Sequence, residues 1–418
     1  MSQKYDVGSG GLFVTEELKG LLGRPEYIRT AKGEQKVRDL YIDASKNFDA
    51  RLLYPFAAAC YWGVLEDVIR AVELGFAPEL TGSETPFKFG YATLVVAGAQ
   101  RVVAVPHGRK HVEVLKFLLH KGCPPDVEDI AGYTALHHAT MRMFQPELAR
   151  LLLEKGANVN HVNIYSEVPI FGTFHAEMTG AIELLVEFGA DLDIPNWQGR
   201  TPAQTFVHCG PKVTAAMTRA LRKRRGEEAP LDEKKCNSCG KTSTSLKQCS
   251  KCRITRYCST ECQKKHWPTH KRTCRPFSDD NTVVLKPFYQ NIPGMFLASP
   301  SDVVRKLHGV EVEPAPLRNE RTFHIPTTFP KSFIIKVQVP MGDHGVAENS
   351  TGDLLVYTKK RDFVCIIRWQ DGPTGYDRIS QVIRTKGVGG AKAYFAAELK
   401  DKNTLMIKIS DILAEQPF

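Results

Sequence analysis

The hydrophobic period of this chain changes along its length. From Val64 to Asn196 apolar residues recur at helical spacing in "VLEDVIRAVELGFAPEL", "LLHKGCPPDVED", "LLEKGANVNHVN" and "LVEFGADLDIPN". Each run closes on a glycine (Gly75, Gly122, Gly156, Gly189), as a left-handed helix C-cap requires. The last three runs end at Asp129, Asn163 and Asn196, so a unit repeats every 33 or 34 residues. Gly75 and Gly122 are 47 residues apart, which predicts an insertion within "TGSETPFKFG" or "AVPHGRKH". Beyond residue 330 the pattern shortens. "SFIIKVQV", "DLLVYT", "DFVCIIRW" and "TLMIKI" read as strands by β-branched and aromatic content, while "GYDRISQVIRT" and "AKAYFAAELK" read as helices. A small α+β domain is expected over 331–418, behind a proline-rich connector at 275–330. Residues 1–50 form an N-terminal extension.

Within the repeating region, "GYTALHHA" (Gly132–Ala139) resembles the ankyrin signature T-P-L-H-x-A, with Ala135 in place of Pro. "GRTPAQTF" at Gly199–Phe206 looks like the start of a further, degenerate repeat. The resemblance implies an all-α ankyrin solenoid over 51–226, with four or five repeats stacked on a one-dimensional core and a concave face for protein partners. The repeat at 164–196 departs from the signature, since "SEVPIFGTFHA" lacks T-P-L-H, and its first helix is expected to be distorted. His137 and His138 would tempt a catalytic reading, but the signature's first histidine is a structural residue.

Seven of the 11 cysteines lie between Cys236 and Cys274. The start of the chain, "MSQKYDVGSGG", lacks the basic and apolar regions of a secretory signal, so a reducing compartment and metal ligation are expected rather than disulfides. The cluster reads C-x2-C, nine residues, C-x2-C, five residues, C-x3-C, seven residues, H-x3-C. The i,i+4 pairs Cys258/Cys262 and His270/Cys274 place both ligands on one helix face. Eight ligands, Cys236, Cys239, Cys249, Cys252, Cys258, Cys262, His270 and Cys274, fit two tetrahedral Zn²⁺ ions and leave no open position, so the metal is read as structural. With so few apolar residues, this segment needs metal to fold. His266 lies on the same ladder as His270 but would be a ninth ligand, and Pro268 is expected to break the helix between them. Spacing leaves open which pairs share an ion.

The segment resembles a MYND finger, through the eight ligands and through Tyr257, Ser259, Gln263 and Trp267 of "YCSTECQKKHWPTHKRTC". The resemblance implies interleaved pairing: Cys236, Cys239, Cys258 and Cys262 on one zinc, Cys249, Cys252, His270 and Cys274 on the other. It also implies a groove for proline-rich peptides beside the last helix, at Gln263 and Trp267. An alternative reading makes Trp267 a core anchor between the zinc sites.

Charge adds less. The linker 227–235 and the helix before it, "RALRKRRGEEAPLDEKK", read as a solvated helix end and spacer, or as a nuclear-import or nucleic-acid patch. From Lys234 to Arg275 there are 12 Lys/Arg against Glu261 alone. Such charge allows phosphate binding, but acidic protein segments would satisfy it equally, and nucleic acid is not favoured. No apolar run is long enough to span a membrane. "KGVGGAK" lacks the phosphate-loop pattern and reads as a plain loop.

The expected function is therefore a non-enzymatic, zinc-binding adaptor, cytoplasmic or nuclear, that joins proteins in a setting such as transcriptional regulation. A SET-type lysine methyltransferase is the enzymatic alternative, prompted by the fingers such enzymes carry. The N-H-x-C type motif of those enzymes is absent.

Overall fold

A computed structural model describes residues 7–102, 110–227, 235–242, 245–289, 325–340, 352–359 and 362–413. Two compact units divide at Cys209/Gly210.

The first unit opens with helices α1 (Glu16–Leu22), α2 (Pro25–Ile28) and α3 (Ala31–Ser45). Thr15 and Thr30 cap α1 and α3 by accepting the amides of Leu18 and Gly33. Four helix pairs follow: α4 (Pro55–Trp62) with α5 (Leu65–Glu73), α6 (Tyr91–Arg101) with α7 (His111–His120), α8 (Ala135–Thr140) with α9 (Pro146–Glu154), and α10 (Pro169–His175) with α11 (Thr179–Glu187). First helices pack on first helices along α4, α6, α8 and α10, and second helices pack likewise along α5, α7, α9 and α11. Leu115, Leu118, Leu148, Leu152, Ile182 and Leu185 are buried between them. A fifth start, α12 (Pro202–Thr205), carries a Thr201/Gln204 capping box.

The repeat register is written in the turns. Asp129, Asn163 and Asn196 each accept two amides with one side-chain oxygen: Ala131 and Tyr133, Tyr165 and Glu167, Gln198 and Arg200. The extra length of the second repeat goes partly into a short hairpin of β1 (Ser83–Glu84) and β2 (Phe89–Gly90). It also goes into α6, which has 11 residues where α8 has 6 and α10 has 7. Most of "AVPHGRKH" lies outside the described residues. The expected distortion of the 164–196 repeat does not occur. Pro169 is the first residue of α10, where no amide donor is needed, and Ser166 absorbs the turn at φ 56°.

The second unit contains α13 (Gly210–Arg225), the cysteine-rich segment and a six-stranded antiparallel sheet. The cysteine-rich segment supplies β3 (Lys247–Gln248), β4 (Arg256–Tyr257) and α14 (Thr260–Thr273). The sheet strands are β5 (Thr282–Leu285), β6 (Lys331–Gln338), β7 (Leu354–Thr358), β8 (Val364–Ile367), β9 (Lys392–Asp401) and β10 (Thr404–Lys408), in the order β5-β10-β9-β6-β7-β8. Helix α15 (Pro373–Lys386) covers one face through Tyr376, Ile379 and Ile383.

Two expectations are corrected here. "AKAYFAAELK" is not a helix but the central strand β9, buried on both faces. Ala393, Phe395, Ala397 and Leu399 turn to α15, while Tyr394 and Ala396 turn to the cysteine-rich segment. Alanines that suggest a helix in isolation here let two layers approach one strand. The connector also contributes structure, since Thr282–Leu285 pairs with β10 as the edge strand β5. Residues 290–324 of the connector and 228–234 of the linker lie outside the described residues.

No helix among the described residues is long and apolar enough to cross a membrane.

Candidate metal centre

Two tight turns and one helix gather the eight ligands. In the first turn the Gly240 amide donates to the Cys236 carbonyl, with Gly240 at φ 71°. In the second the Arg253 amide donates to the Cys249 carbonyl, with Arg253 at φ 56°. Strands β3 and β4 pair Lys247 with Tyr257 and carry the chain from the second turn to Cys258. Ser259 then caps α14 by accepting the Cys262 amide at 3.2 Å. Pro268 does not break this helix, which runs through to Thr273. The carbonyl that loses its donor belongs to Lys264, an exposed residue open to water.

The ligand atoms fall into two sets: Cys236, Cys239, Cys258 and Cys262, and Cys249, Cys252, His270 and Cys274. Within each set all the atoms lie within 4.8 Å of one another. Cys239 and Cys258 sulfurs are 3.6 Å apart, Cys258 and Cys262 3.5 Å, and Cys249 and Cys274 3.9 Å. Cys252 Sγ lies 3.5 Å from His270 Nε2. A tetrahedron with zinc–sulfur bonds of roughly 2.3 Å has edges of about 3.8 Å, and a nitrogen at roughly 2.0 Å shortens its edge to about 3.5 Å. The residues therefore fit zinc. The helix returns over both turns, which is why the sets interleave.

Local groups act on the ligands in opposite senses. Burial raises the Cys236 thiol, but the amides of Cys258, Cys239 and Ser238 help bring it down to about 6. Cys258 is pushed up to about 12 by sharing protons with Cys262, Cys239 and Cys236. Thr255 Oγ1 lies 3.2 Å from His270 Nδ1, which leaves Nε2 facing Cys252. His266 stays outside both sets, 3.1 Å from Tyr257 Oη through Nδ1 and stacked on His270. Trp267 is 37% exposed, with Lys251 above its ring and the ligand His270 edge-on at 5.8 Å, and Gln263 is half-buried one turn earlier.

Other sequence candidates resolve as structure. His137 is buried and its Nδ1 accepts the Thr134 amide at 3.2 Å. His138 Nε2 lies 3.0 Å from Asp129 Oδ2. Gly389 and Gly390 of "KGVGGAK" take positive φ in a turn between α15 and β9.

One element of the repeat unit is not apparent from the sequence. Helix α3, within the N-terminal extension, lies across successive repeat turns. Tyr41 Oη donates to Asp129, Arg38 donates to Tyr133 Oη and Glu167, and Glu34 accepts from Trp197 Nε1. Its face is Glu34, Arg38 and Tyr41, spaced i, i+4, i+7, a pattern visible in sequence but without an obvious partner there.

Comparison with known proteins agrees with these two regions. A family model described as MYND finger matches residues 236–274, and one described as ankyrin repeats matches residues 102–164. The human histone-lysine N-methyltransferase SMYD3 is 50% identical over 40 residues, 10% of this chain and 9% of that protein. The SET domain-containing protein 14 of Caenorhabditis elegans is 43% identical over 51 residues, 12% of each chain. The E3 ubiquitin-protein ligase KEG of Arabidopsis thaliana is 26% identical over 175 residues, 41% of this chain and 10% of that protein. The chain thus spans about a tenth of the length of each of these relatives.

Proposed function

We propose that this ankyrin-repeat protein with a MYND finger is a non-enzymatic adaptor of the cytoplasm or nucleus, held in shape by two structural zinc ions. Each ion takes four protein ligands, which leaves no position for water or substrate. The finger recruits a short proline-rich peptide along α14, with Trp267 as the aromatic anchor and Gln263 beside it. The repeats, stacked as a solenoid, bind a second protein on surface that α3 leaves uncovered.

The observation that carries this reading is the coexistence of two closed ligand sets with an exposed Trp267. The sheet covers the ligand turns through Tyr394, Ala396 and Ile334, but Trp267 lies outside that core. The SMYD3 match extends over 40 residues only, so it carries the finger and gives no support for methyl transfer.

The test is affinity purification from cell lysate with wild type against Trp267→Ala, with zinc measured in both. Loss of a discrete set of proteins at unchanged zinc supports peptide recognition. An unchanged partner list at unchanged zinc removes that role from the finger.

A further inference from the structure

The sheet face turned toward the finger carries an unusual set of buried charges. Along β6, β9 and β10, alternation sends Ile335, Val337, Phe395, Leu399 and Ile407 to the α15 side. It sends Lys336, Glu398 and Lys408 to the other, and all three are buried there. A charge is left in such a place only when it is paired.

Two of these charges reach the second ligand set. Glu398 forms an ion pair with Arg253, the residue directly after the ligand Cys252. The same guanidinium donates to Ser332 Oγ at 3.3 Å and sits over the Phe277 ring. Lys408, 1% exposed, donates to the carbonyl of Arg275, the residue directly after the ligand Cys274, at 2.7 Å. Asp411 lies 3.0 Å from the same ammonium. Three thiolates, one neutral imidazole and one Zn²⁺ sum to −1, so a buried cation alongside is favourable. In the first set Cys239 and Cys258 are exposed.

Resting on the zinc reading above, we propose that the C-terminal sheet is the outer support of the Cys249–Cys252–His270–Cys274 centre. Glu398 acts through Arg253 and Lys408 through Arg275, each positioning one of the two ligand pairs. The domain at 331–413 then belongs to the metal module, and zinc affinity at this centre is linked to the order of β9 and β10. Groups that hold ligands from behind typically contribute 10–100-fold in metal affinity.

The test uses the full chain, loaded with zinc and titrated with a chromogenic chelator. Cys239→Ser first weakens the other centre, so that the tighter ion reports on this one. Adding Lys408→Met or Glu398→Gln is expected to weaken that ion by roughly 10–100-fold. Ile379→Ala, which loosens the sheet from its opposite face without touching Arg253 or Arg275, is expected to lower stability and to weaken that ion far less than Glu398→Gln. If Lys408→Met does not fold, the milder Glu398→Gln decides. Hydrogen exchange gives the reciprocal reading, with β9 amides opening at least about tenfold faster in Cys252→Ser than in Cys239→Ser. Unchanged affinity in Glu398→Gln, or equal β9 exchange in the two cysteine variants, overturns the inference. A wild-type chain with fewer than two zinc ions would overturn the zinc reading itself, and this one with it.

Discussion

Arg38 on helix α3 and Glu167 in a repeat turn are 129 residues apart in sequence and 2.7 Å apart in space. The same guanidinium meets Glu34 at 2.8 Å and lies 3.9 Å over the Tyr165 ring. This junction makes the N-terminal extension part of the repeat unit rather than a tail. Val37, Leu18 and Ile28 are buried in the same cluster as Ala131 and Tyr165.

Replacing Arg38 by Met is expected to destabilise the repeat unit by on the order of 3 kcal/mol, because Glu34 and Glu167 lose their shared cation in a largely buried site. Chemical denaturation of Arg38→Met, Glu167→Gln and the double variant checks this. The two losses should be far from additive if the residues act as a pair.

The repeat unit should weaken in mild acid. Burial pushes His137 down to about 3, helped by His138 and His161 nearby. The unfolded chain therefore takes up this proton first. The contribution is intact above the ordinary histidine value near 6.5 and is lost as pH falls from there toward about 3. Denaturation midpoints measured across that window should fall in wild type and flatten in His137→Gln.

Zinc removal should separate the two units. Chelation is expected to unfold the finger and leave α4–α11 helical, since both ligand sets lie in the second unit. Far-UV circular dichroism alongside a zinc assay follows both. The Cys236 set, with two exposed sulfurs, should be stripped first. Collapse of the repeat helices together with the finger would contradict this.

Thr255→Val removes the hydroxyl beside His270 Nδ1 without changing side-chain volume much. Zinc affinity should drop by about 10-fold or more at one centre only. Competition with a chelator, with zinc release counted per chain, distinguishes one weakened ion from two.

Much of this was legible locally. The glycines after each apolar run take positive φ as helix ends require, at 73° for Gly75, 93° for Gly122, 90° for Gly156 and 89° for Gly189. The 33- and 34-residue offsets appear as identical side-chain-capped turns at Asp129, Asn163 and Asn196. Both signals need only a few neighbouring residues, so a linear reading captures them.

What the sequence by itself determined is the inventory: repeat units, and eight ligands in close pairs, each pair near enough along the chain to reach one ion. Tertiary structure decided which pairs meet, because that depends on how β3, β4 and α14 fold back over the two turns. It decided that residues 392–401 form a strand, because burial between α15 and the finger outweighs the helical preference of alanine. It also decided that Arg38 meets Glu167 and Arg253 meets Glu398. Those pairings join segments with no shared periodicity, and only packing that removes both partners from water gives them their strength.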